Sequence, residues 1–494
     1  MDIVGRLPLP VGGLLGRRAG RGRDARAREA GRRAVSSATR QPVRAASDVL
    51  RRERHQPDYS ILLAVVALSA IGILMVFSSS AMFAYASRDD TLAIVGPQIF
   101  WGALGIVTML AVMRLDYRWL RMVSVPGYLG ALVLLALVFV PSLGRVVGGS
   151  ARWLVIGPLP AVHPAEIAKL ALIVYLAHWL ANRGPLVGRF RQGMIPFLLI
   201  AGPVIALVFK EPDLGTTIVI TLTAFTVFFV AGASLLQLGA LVGAGVFGVG
   251  ALSMIGISLI KGYQLERIQT FLNPWADPQG AGFHTIQGLL ALGLGGVTGA
   301  GLGESKLAAG MYLPNAWNDF IFAIVGEEFG FVGAALVILL FVLLAYAGIR
   351  TALRAPDTFG ALLAAGITAW LCYQAFINVA VVVALLPVTG ITLPFISAGG
   401  SSLLVSFAAA GILLSISRES VERSTARSTD RPNDRTSDRA TEHTTDRATE
   451  PKDRGARAEA RRTDEAAHRG RGHRGAYLPG AGRRGRAPSP ARPD

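Results

Sequence analysis

Long apolar runs alternate with short polar connections between residues 59 and 417. A run of about 20 apolar residues is long enough to cross a bilayer as a helix. The sequence therefore predicts an all-α polytopic membrane protein with about ten transmembrane helices. The predicted spans lie near 59 to 81, 93 to 113, 121 to 141, 163 to 182, 194 to 210, 214 to 232, 235 to 260, 319 to 348, 358 to 385 and 393 to 417.

Composition separates the chain into a membrane domain and two basic tails. The 494 residues are 52% hydrophobic, yet the formal net charge is +17. Arginine is concentrated in residues 1 to 57 and 418 to 494, which are predicted to be disordered because they contain few large apolar residues. Residues 58 to 417 form the predicted membrane domain. Basic tails can bind nucleic acid, but arginines beside membrane spans are more simply explained as cytoplasmic anchors, so no nucleic-acid partner is expected.

The tails also predict the orientation of the chain. An even number of spans places both termini on one side of the membrane, and the arginines of the tails place that side in the cytoplasm. Residues 261 to 318 then form one long extracytoplasmic loop in a protein whose other connections are short. Long loops on compact scaffolds usually carry function.

Charged residues at membrane depth are costly and are therefore candidates for function. Glu166 and Lys169 are three residues apart at the start of the fourth span and share one helical face. They are either a structural ion pair or the charged floor of a polar cavity, and the spacing alone leaves both readings open. Because buried ion pairs are poor stabilisers, the cavity reading gives them a purpose.

Three further acidic residues lie beside or within apolar runs. The motif K-E-P-D-L-G-T places Asp213 after the helix-breaking Pro212, where it can cap the following helix. Glu327 and Glu328 lie within the eighth span, about 12 Å along the helix from Asp319.

Asp319 is the strongest candidate for catalysis. It follows the long loop in the sequence L-P-N-A-W-N-D-F, just where a very apolar helix begins. An aspartate in a first helical turn is favoured by the helix dipole, which is the structural explanation. A carboxylate at the outer membrane boundary beside a cavity is also well placed to take a proton from a sugar hydroxyl.

Several motifs occur in the order found in a known family. The runs N-P-W-A-D-P-Q-G-A-G-F-H-T-I-Q-G and L-P-N-A-W-N-D-F, with E-E-F-G-F-V-G after them, resemble the SEDS proteins of shape, elongation, division and sporulation. G-G-S-A-R-W-L-V-I-G, H-P-A-E-I-A-K, E-P-D-L-G-T and L-P-F-I-S-A-G-G-S-S are similar to four other motifs of that family. The likeness extends over residues 57 to 417, which makes it far more specific than one motif.

The resemblance implies a peptidoglycan glycosyltransferase that polymerises lipid II beside a class B penicillin-binding protein and other divisome proteins. The family's proposed catalytic aspartate corresponds to Asp319. Its cavity glutamate and lysine correspond to Glu166 and Lys169, and its loop arginine to Arg152. The remaining motifs supply Asp213 and Ser401 as further substrate-binding expectations.

The chain departs from the family at several positions. His163 stands where the family has glutamine, Ala398 where it has tyrosine, and Asn315, Trp317 and Asn318 where it has glutamate, histidine and threonine. N-P-W-A-D-P and F-S-S-S resemble division-type members more than elongation-type members. L-P-V-T-G lacks a lysine that many division members carry, so the elongation role stays an alternative.

A transporter that flips lipid II is the rival from another functional class, because intramembrane charges also line translocation paths. Transporters usually contain internal repeats, and the two halves of this chain show no convincing repeat. A scaffolding protein would leave Asp319 without a purpose. The sequence shows no metal-ligand spacing, and a divalent cation such as Mg²⁺ or Mn²⁺ stays an open alternative to Arg152 and Lys169 for offsetting pyrophosphate charge.

Overall fold

A computed structural model describes residues 56–147, 150–155, 161–254, 262–310, 312–314 and 316–419. The predicted tails, 1 to 57 and 418 to 494, fall outside this part of the chain except for residues 56, 57, 418 and 419. Their disorder therefore stays a prediction, as does any role for them.

The described residues are almost entirely helical. The long helices are α1 Tyr59–Arg88, α2 Val95–Arg114, α3 Trp119–Leu137, α4 Pro164–Ala181, α5 Ile195–Lys210, α6 Leu214–Val230, α7 Leu235–Met254, α11 Ile321–Arg354, α12 Thr358–Val382 and α13 Gly400–Arg418. Between α7 and α11 lie α8 Gly262–Leu272, α9 Phe283–Gly295 and α10 Lys306–Ala309, with a 3-10 turn Pro274–Ala276. A 3-10 turn Gly184–Gly188 and a π-helical turn Phe190–Met194 lead into α5.

Eight of the described helices are long and apolar enough to cross a membrane. Helix α6 has 17 residues, and α7 is apolar over Leu235–Gly248. Both match predicted spans but are shorter than the other candidates, so the predicted number of about ten is not confirmed. The predicted all-α polytopic fold is confirmed.

Polar contacts join the ends of several helices on one face of the membrane domain. The backbone N–H of Asp58, which caps α1, donates to Ser417 Oγ near the end of α13 at 3.1 Å. Asp357, which caps α12, accepts from Arg121 at the start of α3 at 2.6 Å. The first helix therefore begins, and the last helix ends, on the same face, as an even number of crossings requires.

The segment 262–310 differs from the simple outer loop that the sequence predicts. Helix α9 is buried along one side and runs beside α11 in the same direction: Gly288 faces Phe320, and a Cβ on Gly295 would lie 1.8 Å from Gly326 O. Only glycine allows this approach. The chain enters the membrane domain beside the start of α11 and then returns to the side from which it entered, because a run of 13 apolar residues is too short to cross a bilayer alone.

Residues 300 to 306, which follow α9, bond to α11 just before a break in that helix. Gly330 has φ +64 within the helix, and the N–H of Ala300 donates to Glu327 O at 2.9 Å. The carboxylate of Glu327 accepts from Ser305 Oγ at 2.6 Å and from the Lys306 N–H at 2.8 Å. Glu327 therefore binds the N-terminal end of α10, whose N-cap is Ser305, and holds the segment about 9 Å along α11 from its start.

Two local features near the site were not expected from the sequence. Strands β1 Gly144–Val147 and β2 Ser150–Leu154 form an antiparallel hairpin between α3 and α4. The predicted last span, 393 to 417, is wrong at its start, because 391–399 is irregular and α13 begins at Gly400. Pro394 cannot donate to a helix ladder, and it interrupts the apolar run.

Candidate active site

Most of the predicted site residues converge on one cavity beside the β-hairpin. This hairpin cavity has a volume of about 440 Å³ and lies between the hairpin, the starts of α4 and α6, the turn before α11 and the segment 391–399. Arg152, Glu166, Asp213, Asp319 and Ser401 all line it. These positions are up to 249 residues apart in sequence, so their convergence is a property of the fold.

Glu166 and Lys169 form the ion pair that their spacing predicts. Lys169 Nζ lies 2.8 Å from Glu166 Oε1, and both side chains are buried. Glu166 lines the hairpin cavity, whereas Lys169 is not among its lining residues and instead also donates to Gln374 Oε1 at 2.6 Å. Lys169 therefore neutralises Glu166 from a position outside the lining of the hairpin cavity. Glu166 Oε2 is buried and has no hydrogen-bond partner within the described residues.

Asp213 and Arg152 organise the turn between α5 and α6. Asp213 Oδ1 accepts from the Thr216 N–H at 3.1 Å and so caps α6, as the sequence predicts. The Arg152 guanidinium donates to the backbone carbonyls of Glu211, at 3.4 Å, and Pro212. Arg152 therefore fixes the C-terminal end of α5 and presents its remaining positive surface to the hairpin cavity.

Two titratable side chains in this region are held neutral by burial. Burial keeps the pKa of His163 below its ordinary value, although its Nε2 lies 3.7 Å from Asp213 Oδ2 and this carboxylate opposes the shift. Burial, with a smaller contribution from Asp213, raises the pKa of Glu211 to about 8, and Arg152 only partly offsets this. Neither oxygen of the Glu211 carboxyl has a hydrogen-bond partner in the part of the chain that the structure describes.

Asp319 lies in a turn just before α11 and not in its first helical turn. The helix begins at Ile321 after Phe320, and no side chain caps it. The helix-dipole explanation of this aspartate is therefore weak, because its carboxylate neither caps nor enters the helix. Burial raises the pKa of the Asp319 carboxyl to about 6, and a bond from its own backbone N–H and the charge of Arg267 lower it only in part.

The Asp319 carboxylate also borders a second cavity. This loop cavity has a volume of about 580 Å³ and lies between α8, the start of α9 and the turn before α11. Its lining includes Glu266, Arg267, His284 and Asp319. Asp319 and Gly390 are the two residues that line both cavities. A single half-buried carboxylate therefore stands between two spaces.

Ser401, at the start of α13, accepts a hydrogen bond from the His163 backbone N–H at 3.2 Å through its Oγ. Ser401 therefore links α13 to the start of α4 beside the hairpin cavity, and its role in substrate binding stays a prediction. His163 in turn packs edge-on against Trp153, with ring centroids 5.2 Å apart.

The residues that depart from the family pattern surround Asp319 without replacing it. Trp317 packs on Phe83 with ring centroids 4.9 Å apart, and Asn318 and Ala398 line the hairpin cavity. Asn315 lies outside the described residues. An indole ring cannot accept or release a proton as a histidine can, so within residues 317 to 319 only Asp319 is able to act as a base.

Sequence reasoning missed two buried amides on α12. Gln374 bonds to Lys169, and Asn378 Nδ2 donates to Asp319 O at 2.7 Å. Both side chains are at most 1% exposed. Their spacing of four residues places them on one face of a helix, and this spacing inside an apolar run was the available signal.

Comparisons with known proteins agree with this arrangement. The family model of the cell cycle proteins FtsW, RodA and SpoVE matches residues 59–422. Stage V sporulation protein E of Bacillus subtilis (strain 168) is 40% identical over 372 residues, which cover 74% of this chain and 99% of that protein. The probable peptidoglycan glycosyltransferase FtsW of Geobacter sp. (strain M18) is 39% identical over 365 residues, 73% of this chain and 96% of the relative.

Two solved structures share the fold. One comes from work on the structural coordination of polymerization and crosslinking by a peptidoglycan synthase complex; it aligns with a TM-score of 0.61 at 30% identity, over 74% of this chain and 98% of the other. The rod shape determining protein RodA of Thermus thermophilus aligns with a TM-score of 0.53 at 28% identity, over 74% and 98%. This chain is a multi-pass membrane protein of the FtsW, RodA and SpoVE family, the SEDS family that its motifs resemble.

Proposed function

We propose that this protein is a peptidoglycan glycosyltransferase that polymerises lipid II into glycan strands, in septal wall synthesis during cell division. Relatives about 40% identical carry the name of the division member FtsW. The observation that carries the proposal is Asp319, whose carboxylate lines both the hairpin cavity and the loop cavity. Joining two lipid-linked glycans needs two substrate spaces that meet at one base.

In the proposed reaction, Asp319 takes the proton of the 4-hydroxyl on the acceptor N-acetylglucosamine. The hydroxyl oxygen forms a bond to the anomeric carbon of the donor glycan, and the bond from that carbon to phosphate breaks. The electron pair leaves with undecaprenyl pyrophosphate. A base with a pKa of about 6 is ionised at neutral pH and still accepts a proton readily, which suits general-base catalysis.

The other residues of the hairpin cavity bind and orient the substrates. Glu166 Oε2 is a buried acceptor with no protein partner in the described residues, so it is available to a sugar hydroxyl or amide. Arg152 offers positive charge to a phosphate or a carbonyl, and Ser401 and Asp213 supply polar contacts. Lys169 acts through Glu166, whose charge it holds in place. Orientation of two large substrates supplies much of the rate when the leaving group is already good.

The proposed steps use side chains of the protein itself, and a divalent cation stays an open alternative to Arg152 and Lys169 for offsetting pyrophosphate charge. Within the described residues, no three His, Cys, Asp or Glu side chains form a group that could hold a metal ion. A divalent cation that arrives with the pyrophosphate of the substrate is a separate matter, and titration of activity with Mg²⁺, Mn²⁺ and a chelator distinguishes it from a site built by the protein.

We place the protein in the cell membrane, with both tails in the cytoplasm and the two cavities on the outer face. The arginines of the tails support this orientation, because positive residues favour the cytoplasmic side. We infer that the partner is a class B penicillin-binding protein, within a larger division complex. The similarity to a chain from a peptidoglycan synthase complex supports that inference.

The test is Asp319→Asn in the protein purified with its candidate class B partner and supplied with labelled lipid II. The substitution keeps the size of the side chain but removes the base, so glycan polymer should fall by about a hundredfold to ten-thousandfold. Asp89→Asn is the matched control, because Asp89 is an exposed aspartate in the left-handed region after α1, where asparagine is tolerated.

Polymerisation at the wild-type rate by folded Asp319→Asn protein would defeat the catalytic assignment. A lipid II translocation assay on the same variant separates the transporter. Loss of translocation with polymerisation intact would favour that rival, whereas loss of polymer alone supports the enzyme.

A further inference from the structure

The turn that carries Asp319 is held by its backbone. The carbonyl oxygens of residues 317 to 319 each accept a hydrogen bond from a different donor. In chain order the donors are the Ala398 N–H at 2.9 Å, Ser397 Oγ at 2.6 Å and Asn378 Nδ2 at 2.7 Å. No residue of the turn lies in a helix, so these three bonds fix a backbone conformation that no helical hydrogen bond holds.

One of these three donors, Asn378, belongs to α12, and the other two belong to the segment 391–399, which α12 also holds. Asn378 Nδ2 also donates to Ile391 O at 2.7 Å, and one turn earlier Gln374 Nε2 donates to Thr392 O at 3.0 Å. The irregular segment 391–399 is therefore bound to the same face of α12 that holds Asp319. Helix α12 is a rigid support for both, because its core positions are almost completely buried.

Gln374 also joins this support to the ion pair of the hairpin cavity. Its Oε1 accepts from Lys169 Nζ at 2.6 Å and from Trp370 Nε1 at 2.8 Å. Both partners are donors only, which settles the orientation of the amide and leaves Nε2 for Thr392. A continuous polar path thus leads from Glu166 through Lys169 and Gln374 to the segment that anchors Asp319.

We propose that Gln374 and Asn378 are positioning residues for glycan polymerisation. Asn378 fixes the backbone of Asp319 directly, and Gln374 fixes the segment 391–399 that anchors the same turn and ties this segment to the Glu166–Lys169 pair. The carboxylate of Asp319 is thereby kept between the two cavities. The inference rests on the proposed function, because the position of this carboxylate affects the rate only if it takes the proton. A displacement of a reacting group by about 1 Å can cost about a hundredfold in rate.

The simpler explanation is that the two amides only stabilise the fold, since buried backbone carbonyls need partners. The two explanations differ in one measurable respect. A purely structural amide changes how much protein folds but not the kinetics of the folded fraction. A positioning amide changes kcat and the environment of the Asp319 carboxyl in protein that is folded and bound to its partner.

The experiment compares Asn378→Ala and Gln374→Leu with the wild type, each purified with the class B partner and normalised to folded protein. The expected result is a fall in kcat of about a hundredfold, with KM for lipid II changed much less. Thr368→Val is the matched control on α12. Its side chain is also buried, and among the described residues its hydroxyl donates to Ala364 O in its own helix and to no other group, so kcat should not change.

The pH profile supplies the second readout. In the wild type, the acidic limb of kcat reports the base, and burial holds its pKa near 6. Once Asn378→Ala releases the turn, water reaches the carboxylate and the limb should shift to lower pH, whereas in Thr368→Val it should not move. The titratable and charged side chains that share the two cavities with Asp319 are Glu266, Arg267 and His284 on one side and Arg152, His163, Glu166 and Asp213 on the other.

Ser397→Ala covers the case in which the α12 variants do not fold. It removes the bond to Asn318 O and the bond that Ser397 Oγ accepts from the Leu393 N–H, and it leaves α12 unchanged. A smaller fall in kcat, about tenfold, is expected in the same direction. Wild-type kcat and an unshifted limb in the folded variants would overturn the positioning role. That result leaves the proposed function standing if Asp319→Asn is inactive. An active Asp319→Asn protein would remove the catalytic role of Asp319 on which the inference rests, and a wild-type protein that makes no polymer would remove the proposed function itself.

Discussion

Glu211 offers a quantitative test of how this site tolerates a buried acid. Its carboxyl is 1% exposed, has no hydrogen-bond partner in the described part of the chain, and has a pKa raised from 4.5 to about 8 by burial and by Asp213. The folded protein therefore keeps a proton that the unfolded chain releases above pH 4.5. Stability falls as pH rises from 4.5 to about 8 and is independent of this group above that value.

The magnitude follows from the pKa difference. Each pH unit in this window removes about 1.4 kcal/mol, which gives an upper estimate of about 3 kcal/mol at pH 7. Glu211→Gln has no proton to lose and should abolish this dependence. At pH 5 the substitution should have little effect or cost about 1 kcal/mol, because the glutamine amide is also buried without a partner. The gain therefore appears only as the pH rises.

The assay is thermal or denaturant unfolding of the detergent-solubilised protein at pH 5, 6, 7 and 8. The variant should gain stability over the wild type as pH rises, and Glu304→Gln, a change of an exposed glutamate on the segment before α10, should not. Parallel pH curves for the wild type and Glu211→Gln would refute the reasoning, because they would mean that Glu211 is ionised in the folded protein.

Two further predictions concern the ion pair and the topology. Because Lys169 bonds to Glu166 and Gln374, Lys169→Met should reduce the rate of polymerisation. The double variant Glu166→Gln, Lys169→Met should be little slower than Lys169→Met alone. Strictly additive losses in rate per folded protein would argue against coupling of the two residues. In a Cys372→Ser background, an impermeant thiol reagent added to intact cells should label Gln279→Cys, an exposed position in the segment proposed to lie outside, but not Gln192→Cys before α5. The reverse labelling pattern would contradict cytoplasmic tails.

The sequence predicts those parts of the fold that depend on strong contrasts between apolar and charged residues. Helix α4 was expected at 163 to 182 and is Pro164–Ala181, because His163 and Asn182 interrupt the apolar run at both ends. Glu166 and Lys169 were identified for the same reason, since charges inside an apolar run cost free energy and need a function or a partner. Asp319 was recognised from its motif and its place beside the long loop.

The sequence did not reveal features that lack a strong contrast between apolar and charged residues. Gln374 and Asn378 are uncharged, and in a run as apolar as 358 to 385 a neutral amide barely lowers the hydropathy. Helix α9 was assigned to an outer loop because its 13 residues are too few for a span, although it packs against α11. The start of α13 was placed too early because Leu393, Phe395 and Ile396 continue the apolar pattern while Pro394 breaks the helix.

The use of neutral amides near Asp319 has a physical reason. A lysine in the place of Asn378 could hold the same backbone carbonyl, but its charge would stabilise the carboxylate and lower its pKa, which makes it a weaker base. A glutamate there would raise the pKa and offer no donor to the carbonyl. Asn378 fixes the turn through Asp319 O and leaves the carboxylate to be tuned by burial and by Arg267. Position and basicity are thus set by different groups, so an uncharged substitution at Asn378 should change the pKa of Asp319 only through the water that it admits.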